Sequence, residues 1–516
     1  MNPYVAILYA LVVVVASTLS TVRGLHIFQL NSYKAATHLR WLLAHASRLW
    51  TQALLLLCLV ALVFFCPLFL QVLLLVAVGL LCFYNAPAKD AKKPLVFTGR
   101  VKRMIAAFAL LTACILVFSA FAPPRIRPLV IGLAYVISPF MPIVANLINT
   151  PIEASIRGYY IRDAKKMLKA CPDLLVIGIT GSYGKTSVKY FLATLLKSRY
   201  NVLMTPESYN TPMGVVKTIR ENLRSTHEIF ICEMGARRPG DIKELCDIVN
   251  PRHGVITSIG PAHLETMGSI DAITKTKFEL ARHIDGHGTI FLNGDDAHIR
   301  GAMPQQDHRT YGLGHDNDCH AYDIRISPDG TVFSLNLRGR ELAGLQTQLI
   351  GEHNVTNLAG AVAVSAFLGV SDQEIRAQLR KITAPPHRLQ LLRNAGTVII
   401  DDAYNSNPKG CEAALKTLSL IEGYRILITP GMVELGASQY DCNHAFGMQA
   451  AGVCDFVILV GGKQTKPILD GLHDAGFDDA RIHVADHLRE ALARAHGIDP
   501  GKQKVILLEN DLPDNY

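Results

Sequence analysis

Residues 180–187 combine glycine, hydroxyl and lysine side chains in the way that a phosphate-binding loop does. They follow the apolar stretch 174–179 and precede a helical pattern at 188–196, so we expect a strand, a loop and a helix in that order. Glycines let backbone N–H groups close on phosphate oxygens, and the start of a helix adds the positive end of its dipole. The sequence therefore predicts a nucleoside triphosphate site.

The loop has a lysine and a threonine at the positions that such chemistry requires. Lys185 would reach the outer phosphates, and the Thr186 hydroxyl would ligate Mg²⁺. The general pattern has glycine at its first position, where this chain has Ile179. The residues predicted to hold nucleotide here are Thr180, Gly181, Ser182, Gly184, Lys185, Thr186 and Ser187.

Three further polar residues stand where strands of the same unit end or a helix begins. Glu233 closes the strand-like run 228–234, His263 follows the run 254–259, and Lys277 lies in "TKTKFELA". Ligands collect at the carboxyl ends of parallel strands, and a carboxylate with an imidazole can hold a metal ion there. The alternatives are a solvated strand end for Glu233, a surface or core histidine for His263 and a helix-face charge for Lys277.

The elements in front of this loop are strongly apolar. Mean hydropathy is +0.23 over 516 residues, and the first acidic residue is Asp90. Apolar runs at 4–22, 51–84, 104–122 and 128–148 have lengths that fit membrane-spanning helices. The first run lacks a basic leader and a small-residue cleavage site, which favours an anchor over a removed signal peptide.

Basic residues between these runs predict the orientation in the membrane, because cytoplasmic loops are enriched in lysine and arginine. Both loops lie in the cytoplasm only if residues 51–84 cross the membrane twice, with a break at Cys66-Pro67, which gives five spans. The alternative is that residues 51–84 form one long tilted helix, which gives four spans. The basic residues are Arg23, Lys34, Arg40 and Arg48 in the first loop and Lys89, Lys92, Lys93, Arg100, Lys102 and Arg103 in the second.

From about residue 152 the pattern is that of an α/β protein. Strand-like runs alternate with helical ones, and the turn at 328–330 separates two alternating runs, 322–327 and 331–337, that predict a hairpin. A second α/β series follows Pro385-Pro386. We expect a transmembrane helical region at 1–150, a central ATP-binding domain at 151–386 and a Rossmann-like domain at 387–516.

Composition excludes several other classes of protein. Eleven cysteines occur without a C-x-x-C pair, so neither a zinc ribbon nor a disulfide framework is indicated. The formal charge of +8 needs no nucleic acid, because much of it flanks the apolar runs.

Seven motifs in order resemble the Mur ligase family of ATP-dependent amide ligases in peptidoglycan precursor synthesis. They are "GITGSYGKTSVK", "EMGARRPGDI", "AHLETMGS", "TKTKFELA", "GEHNVTNLAGAVA", "DDAYNSNP" and "GMVELG". The similarity covers about residues 174–470 and is strongest to members that add D-alanyl-D-alanine to a muramoyl peptide. The membrane region stands in place of the uridine-binding domain of the soluble members.

The resemblance implies a role for each matching residue. Lys185, Lys277, His263 and Arg388 are expected to be catalytic, with two Mg²⁺ ions held through Thr186, Glu233, His263 and a carbamylated Lys277. The resemblance also implies nucleotide contacts for His353, Asn354, Asn357, Arg388, Asp402, Tyr404 and Asn405. The alternatives are helix caps for the asparagines and a surface ion pair for Arg388. Ser208, Asn210 and Thr211 are the candidates for substrate binding.

The implied reaction is amide formation through an acyl phosphate, in an enzyme of the inner (cytoplasmic) membrane with its catalytic domains in the cytoplasm. Two alternatives stay open at this point. One is the same chemistry on a lipid-linked or other polyamide acceptor, and the other is an ATP-driven transporter. The apolar runs and phosphate loop suit a transporter, but the chain has no "LSGGQ"-like signature and no acidic residue within its runs. A membrane scaffold without catalysis fits least, since the phosphate and metal residues are all present.

Overall fold

A computed structural model describes residues 3–31, 33–65, 67, 69, 94–207, 209–261, 264–305, 307–394, 396–404, 407–433 and 435–511. The chain divides into two compact units, one ending at Tyr159 and the other beginning at Tyr160.

All the secondary-structure elements described in the first unit are helices. Two small cores hold it together: Tyr9 and Val13 pack with Ile131, while Phe28 packs with Met104. The helices are α1 (Pro3–Leu30), α2 (Ala35–Ala44), α3 (Ala46–Phe65), α4 (Gly99–Phe121), α5 (Arg127–Ile137), a 3-10 turn (Ser138–Phe140) and α6 (Met141–Lys169), whose last residues belong to the second unit.

Three helical stretches in the described residues are long and apolar enough to cross a membrane: Ala6–Leu30, Gly99–Phe121 and Arg127–Lys169. They contain the predicted runs 4–22, 104–122 and 128–148 almost completely. Large apolar side chains on them, such as Leu147, point outward. The predicted double crossing at 51–84 lies partly outside the described residues, as do Lys89, Lys92 and Lys93, so the span count stays a prediction.

Two arginines assigned to a loop on sequence lie instead in the first turns of α4. Thr98 caps this helix by accepting a hydrogen bond from the Val101 N–H. Arg103 forms an ion pair of 2.7 Å with Glu153, and Arg100 donates to Asn146. Their charges therefore also tie α4 to α6.

The second unit begins with a sheet of nine strands in its described residues, in the order β2-β3-β1-β4-β5-β6-β7-β8-β9. Neighbours from β2 to β7 run parallel, and β8 and β9 are antiparallel additions. The strands are β1 (Leu175–Thr180), β2 (Val202–Met204), β3 (Ile229–Glu233), β4 (His253–Ile256), β5 (Ile290–Asn293), β6 (His308–Gly312), β7 (Cys319–Ser327), β8 (Gly330–Leu337) and β9 (Arg340–Thr347).

Strand β1 lies between β3 and β4, and this order positions the phosphate loop. Ile179 pairs in register with Glu233 on one side and with Val255 on the other. All three strands are buried, because apolar helices cover both faces of the sheet. The helices of this part are α7 (Lys185–Leu196), α8 (Pro212–Asn222), α9 (Asp241–Val249), α10 (Leu264–Met267), α11 (Ile270–Lys277), α12 (Glu279–Ile284), α13 (Ala297–Gly301), α14 (Glu352–Phe367) and α15 (Asp372–Leu379).

The predicted hairpin is present as β7 and β8, but a third antiparallel strand, β9, extends it. The alternation that would have revealed β9 is interrupted at Gly344, whose φ of +65° lies where the β8–β9 register shifts between Phe333 and Leu335. Such a bulge breaks the two-residue period on which strand prediction depends.

A second sheet, of six strands in the described residues, follows the linker at 384–389. Its order is β10-β11-β15-β12-β13-β14, and only β10 is antiparallel to its neighbour. The strands are β10 (Gln390–Asn394), β11 (Thr397–Asp402), β12 (Tyr424–Thr429), β13 (Phe456–Val460), β14 (Ile482–Ala485) and β15 (Lys504–Glu509). The helices are α16 (Pro408–Leu420), α17 (Gln439–Ala451), α18 (Lys466–Asp474) and α19 (Leu488–Gly497).

Candidate functional site

The loop between β1 and α7 has a backbone that only glycine permits at two positions. Gly181 has a φ of +149°, and a Cβ there would lie 2.1 Å from the Thr257 hydroxyl oxygen. Gly184 has a φ of +80°, and a Cβ there would lie 2.7 Å from Asn357 Oδ1. The loop is thus held tightly between the end of β4 and helix α14, with no room for side chains at these glycines.

The segment after β4 fixes the loop through hydrogen bonds. Ser182 Oγ lies 3.0 Å from both the N–H and the carbonyl oxygen of Gly260. The backbone N–H of Tyr183 donates to Ser258 Oγ at 2.9 Å. The first N–H groups of α7 are left over, since the first turn of any helix has no partners within the helix. These groups suit phosphate oxygens.

Lys185 folds back over this loop. Its Nζ donates to the carbonyl oxygens of Gly181 at 2.7 Å and Ser182 at 3.0 Å. The pKa of Lys185 is lowered to about 8, mainly by burial, while Glu233 opposes this shift and nearby Arg388 adds to it. A cation already desolvated in this way interacts strongly with any phosphate that enters.

Glu233 is the buried anion of the site, with 1% of the residue exposed. It accepts hydrogen bonds from the Thr186 hydroxyl at 3.1 and 3.2 Å and from Asn210 Nδ2 at 3.0 Å. Burial alone would raise the pKa of Glu233, but the positive charges of Lys189 and Lys185 outweigh it and hold the pKa below its ordinary value. The carboxylate is therefore ionised at the carboxyl end of β3.

Lys189 is the cation that stabilises this carboxylate, and sequence analysis did not identify it. Its side chain is fully buried, with Nζ 2.9 Å from Glu233 Oε2. The same Nζ also donates to the backbone carbonyl of Glu207. The sequence feature that could have identified it is its position one helical turn after Lys185, on the apolar face of "SVKYFLATLL". A buried lysine in such a pattern needs an anionic partner.

Lys277 is also buried, with 4% exposed, at the end of α11. Burial and the charge of Lys185 hold its pKa well below the ordinary value, against smaller opposing effects of Asp241 and Glu279. The described residues show no hydrogen bond or ion pair to its Nζ. The amine is therefore biased towards its neutral, nucleophilic form.

The structure describes three of the four predicted metal ligands. Thr186 and Glu233 are in contact, Lys277 is close enough to be influenced by Lys185, and His263 lies outside the described residues. No group of three His, Cys, Asp or Glu side chains with metal-binding geometry is found in the part of the chain that the structure describes. The four-residue metal site stays a prediction.

The predicted nucleotide residues of α14 differ in their surroundings. Asn357 lies against Gly184 of the loop. The half-buried His353 has its pKa lowered to about 4 by desolvation, which leaves the imidazole neutral. Asn354 is buried, and its Nδ2 donates to the Ile350 carbonyl at 2.9 Å. In this contact the side chain donates rather than accepts, so Asn354 does not cap the helix, whose N-cap residue is Gly351. A nucleotide contact of Asn354 stays a prediction.

Arg388 lies in the linker and faces the same site. Its guanidinium carbon is 4.2 Å from the centre of the exposed Tyr404 ring, and its charge acts on Lys185 and Asp402. No ion pair of Arg388 is found among the described residues, and its contact with phosphate stays a prediction. The flanking residues His387 and Leu389 have φ of +58° and +49°, which is strained for side chains of their kind.

Asp402 lies beside this linker at the end of β11. It accepts a hydrogen bond from the Leu389 N–H at 3.0 Å. Burial raises the pKa of Asp402 to about 6, although that hydrogen bond and Arg388 act in the opposite direction. Asn405, predicted to contact nucleotide nearby, lies outside the described residues.

The predicted substrate loop is connected to the buried anion. Asn210 contacts Glu233 directly, and Thr211 caps α8 by accepting a hydrogen bond from the Gly214 N–H at 3.3 Å. Ser208 lies outside the described residues. Thr211 therefore has a structural function, whereas Asn210 joins this loop to the carboxylate.

The arrangement of these residues meets the requirements for phosphoryl transfer. A rigid glycine loop, two cations near it and an ionised carboxylate beside a hydroxyl would position phosphate and neutralise its charge. The tight glycine packing and the oxygen donors of Thr186 and Glu233 fit a nucleoside triphosphate with a hard divalent cation.

Comparison with known proteins agrees with this geometry. The Mur ligase middle domain matches residues 179–365, and the Mur ligase glutamate ligase domain matches residues 387–509. A UDP-N-acetylmuramoyl-tripeptide–D-alanyl-D-alanine ligase of Bacillus subtilis is 33% identical over 51% of this chain and 57% of its own length. The enzyme of the same name from Mycobacterium bovis is 35% identical over 65% of this chain and 71% of its own.

A solved structure of a MurF ligase from Thermotoga maritima in complex with ADP is similar as well. It has a TM-score of 0.60 and 25% identity, and the match covers 69% of this chain and 80% of that one. The transporter alternative is set aside by these findings. The chain belongs to the Mur ligase family of ATP-dependent amide ligases.

Proposed function

We propose that this protein joins D-alanyl-D-alanine to the peptide of a muramoyl tripeptide, using ATP. The observation that carries the proposal is the ionised, buried Glu233 held by Thr186 and Lys189 beside the phosphate loop. The substrates named for the Bacillus and Mycobacterium relatives support the choice of amine and acceptor.

In this mechanism the tripeptide carboxylate attacks the γ-phosphate of ATP and ADP leaves. The amine then opens the acyl phosphate, which releases phosphate and forms the amide. Lys185 neutralises charge on the transferring phosphoryl group, and Arg388 brings a second positive charge from the linker. The same linker would move when the second sheet closes over the nucleotide and excludes water.

Two Mg²⁺ ions would be held by Thr186, Glu233, His263 and Lys277, and when bound they neutralise phosphate charge. Lys277 serves as a ligand only after carbamylation, which converts an amine into a carboxylate-like oxygen donor. Its burial and lowered pKa support that modification, because the neutral amine is the form that reacts with carbon dioxide.

His353, Asn357, Asp402, Tyr404 and Asn405 are our candidates for contact with the adenosine part. Ser208 and Asn210 are the candidates for the muramoyl peptide, since Asn210 reaches Glu233 from the loop after β2.

We further propose that the helical unit is a multi-pass anchor in the cytoplasmic membrane, with catalysis on the cytoplasmic side. The three long apolar helices and their outward-facing apolar side chains support this location. They also favour a second candidate acceptor, a lipid-linked muramoyl peptide, because an anchor raises its effective concentration at the site.

Replacing Lys185 with alanine is expected to reduce ATP-dependent phosphate release by about 100-fold or more, because the charge that grows during transfer loses its partner. Lys197→Ala removes an exposed lysine near the end of the same helix and is the matched control. Circular dichroism should show both variants folded. Turnover of Lys185→Ala near that of Lys197→Ala would exclude the loop as the ATP site.

Lys277→Ala should lose activity and regain part of it with added short carboxylic acids, which can occupy the vacated ligand position. Carbon-13 NMR of the wild-type protein with labelled bicarbonate should show a carbamate signal that Lys277→Ala lacks. Lys275→Ala, an exposed lysine on the same helix, should keep both the signal and the activity. An identical spectrum for all three proteins would contradict carbamylation of Lys277.

Asp402→Asn is expected to raise stability more at pH 8 than at pH 4. The raised pKa means that the folded state binds the proton more tightly, so the cost of ionising this carboxylate in the fold begins above the ordinary aspartate pKa of about 4 and is complete above about 6. The gain at pH 8 should be on the order of 1–2 kcal/mol, measured by denaturant unfolding. Equal gains at both pH values would show that ionisation is not the cause. A weaker ATP affinity of the variant would support the nucleotide contact.

The predicted topology can be tested by cysteine labelling of intact cells. With five spans, a single cysteine at position 67 should react with a membrane-impermeant reagent from outside, and one at position 92 only after permeabilisation. Labelling of neither site from outside, combined with external labelling at position 40, would favour four spans.

A further inference from the structure

A cavity lies at the end of helix α14 that is remote from the phosphate loop. Its volume is about 160 Å³, and Phe367 in its wall is about 15 Å along the helix axis from Asn357. It is lined by Arg309, Thr310, Asp318, Cys319, Leu337, Arg338, Arg340, Ala363, Ala366 and Phe367. The nucleotide residues described above are absent from its lining.

Three arginines give this cavity its charge. Arg309 comes from β6, Arg338 lies in the turn between β8 and β9, and Arg340 is the first residue of β9. Asp318 is the one acidic residue in the lining, so the formal charge of the wall is +2. A positive wall around a space of this size fits a small anion.

Both carboxylate oxygens of Asp318 already accept hydrogen bonds from the protein. Its Oδ2 accepts the Thr310 N–H at 2.9 Å and the Thr310 hydroxyl at 3.3 Å, and its Oδ1 accepts Arg338 Nε at 2.8 Å. Arg340 in turn is paired with Asp372 at 2.5 Å. Arg309 is therefore the cavity arginine without a carboxylate among the described residues.

The guanidinium of Arg309 lies over an aromatic ring. Its central carbon is 4.5 Å from the centre of the Phe367 ring, and its Nε is buried without a hydrogen-bond partner in the described part of the chain. A buried donor without an acceptor is costly. An oxyanion in the cavity would accept from it and from the neighbouring terminal nitrogens.

The position of Arg338 is costly for the backbone. Arg338 and Gly339 form a two-residue turn with φ of +52° and +89°, in which asparagine or glycine is favoured at the first position. Arginine at this position does not stabilise the turn, and its side chain lines the cavity.

The C-terminal end of α14 is unfavourable for an anion in general, since helix carbonyls carry partial negative charge there. Here the last carbonyls are already bonded. Those of Val364, Ser365 and Ala366 accept the N–H groups of Leu368, Val370 and Gly369. The arginines therefore dominate the electrostatics of the cavity.

We propose that this cavity is a second anion site, which binds a phosphate-type oxyanion through Arg309, with Arg338 and Arg340 adding charge. It is independent of the phosphate loop and of the acceptor substrate.

Calorimetric titration of the full-length protein with inorganic phosphate tests the proposal. The titration uses the Lys185→Ala background, so that binding at the phosphate loop is suppressed. This protein should still show one saturable site, and Arg309→Met added to it should weaken that site at least tenfold. Arg325→Met, which removes an exposed arginine of β7 away from the cavity, should leave the affinity unchanged.

Arg338→Gly in the same background guards against an effect of misfolding. Glycine suits the positive φ, so thermal stability should be kept while phosphate affinity falls severalfold. Glycerol phosphate in a parallel titration shows whether a phosphomonoester enters or only free phosphate. No saturable binding to Lys185→Ala, or equal affinity with and without Arg309, would overturn the proposal.

Discussion

The buried ion pair between Lys189 and Glu233 is the interaction on which the site depends. Taking both charges out of water is expensive, and their attraction compensates only when the remaining hydrogen-bonding capacity is satisfied. In this pair the remaining capacity is satisfied, because Thr186 and Asn210 donate to the carboxylate and Lys189 also donates to the Glu207 carbonyl. Removing one partner of such a pair costs about 3–5 kcal/mol. Helix α7, strand β3 and the loop after β2 are therefore held together by a single polar cluster.

This cluster determines the geometry around the phosphate loop. Because β1 lies between β3 and β4, the loop has Glu233 on one side and the Thr257–Gly260 segment on the other. Both sides are rigid, since one is the ion pair and the other a set of hydrogen bonds to Ser182 and Tyr183. Burial raises the pKa of the Tyr183 hydroxyl, in accordance with its position inside this packing. The loop is thus organised by the protein alone.

The sequence predicted those parts of the molecule that follow from local pattern. The strand, loop and helix at 174–196, the hairpin and most of the parallel strands of both sheets are recognisable from apolar runs and turn residues, but the parallel strands β2 and β6 were not predicted. Strand β9 was missed because of the bulge at Gly344, and β10 because five residues after a proline-rich linker carry little signal. Lys189 was missed because a helix pattern shows that a residue is buried but not what it contacts. The cavity of Arg309 joins residues from four strands and a helix, which no local pattern reveals.

Charge balance explains why the described part of the site contains three lysines and one carboxylate at its centre. Lys189 compensates Glu233, which leaves Lys185 and Lys277 as an excess of positive charge. Lys185 is held in place by donating to two loop carbonyls, whereas Lys277 has no such contact among the described residues and burial holds its pKa well below the ordinary value. A neutral Lys277 lowers the repulsion with Lys185. Carbamylation would go one step further and turn Lys277 into an anion, so that Lys277, like Glu233, would attract a divalent cation instead of repelling it.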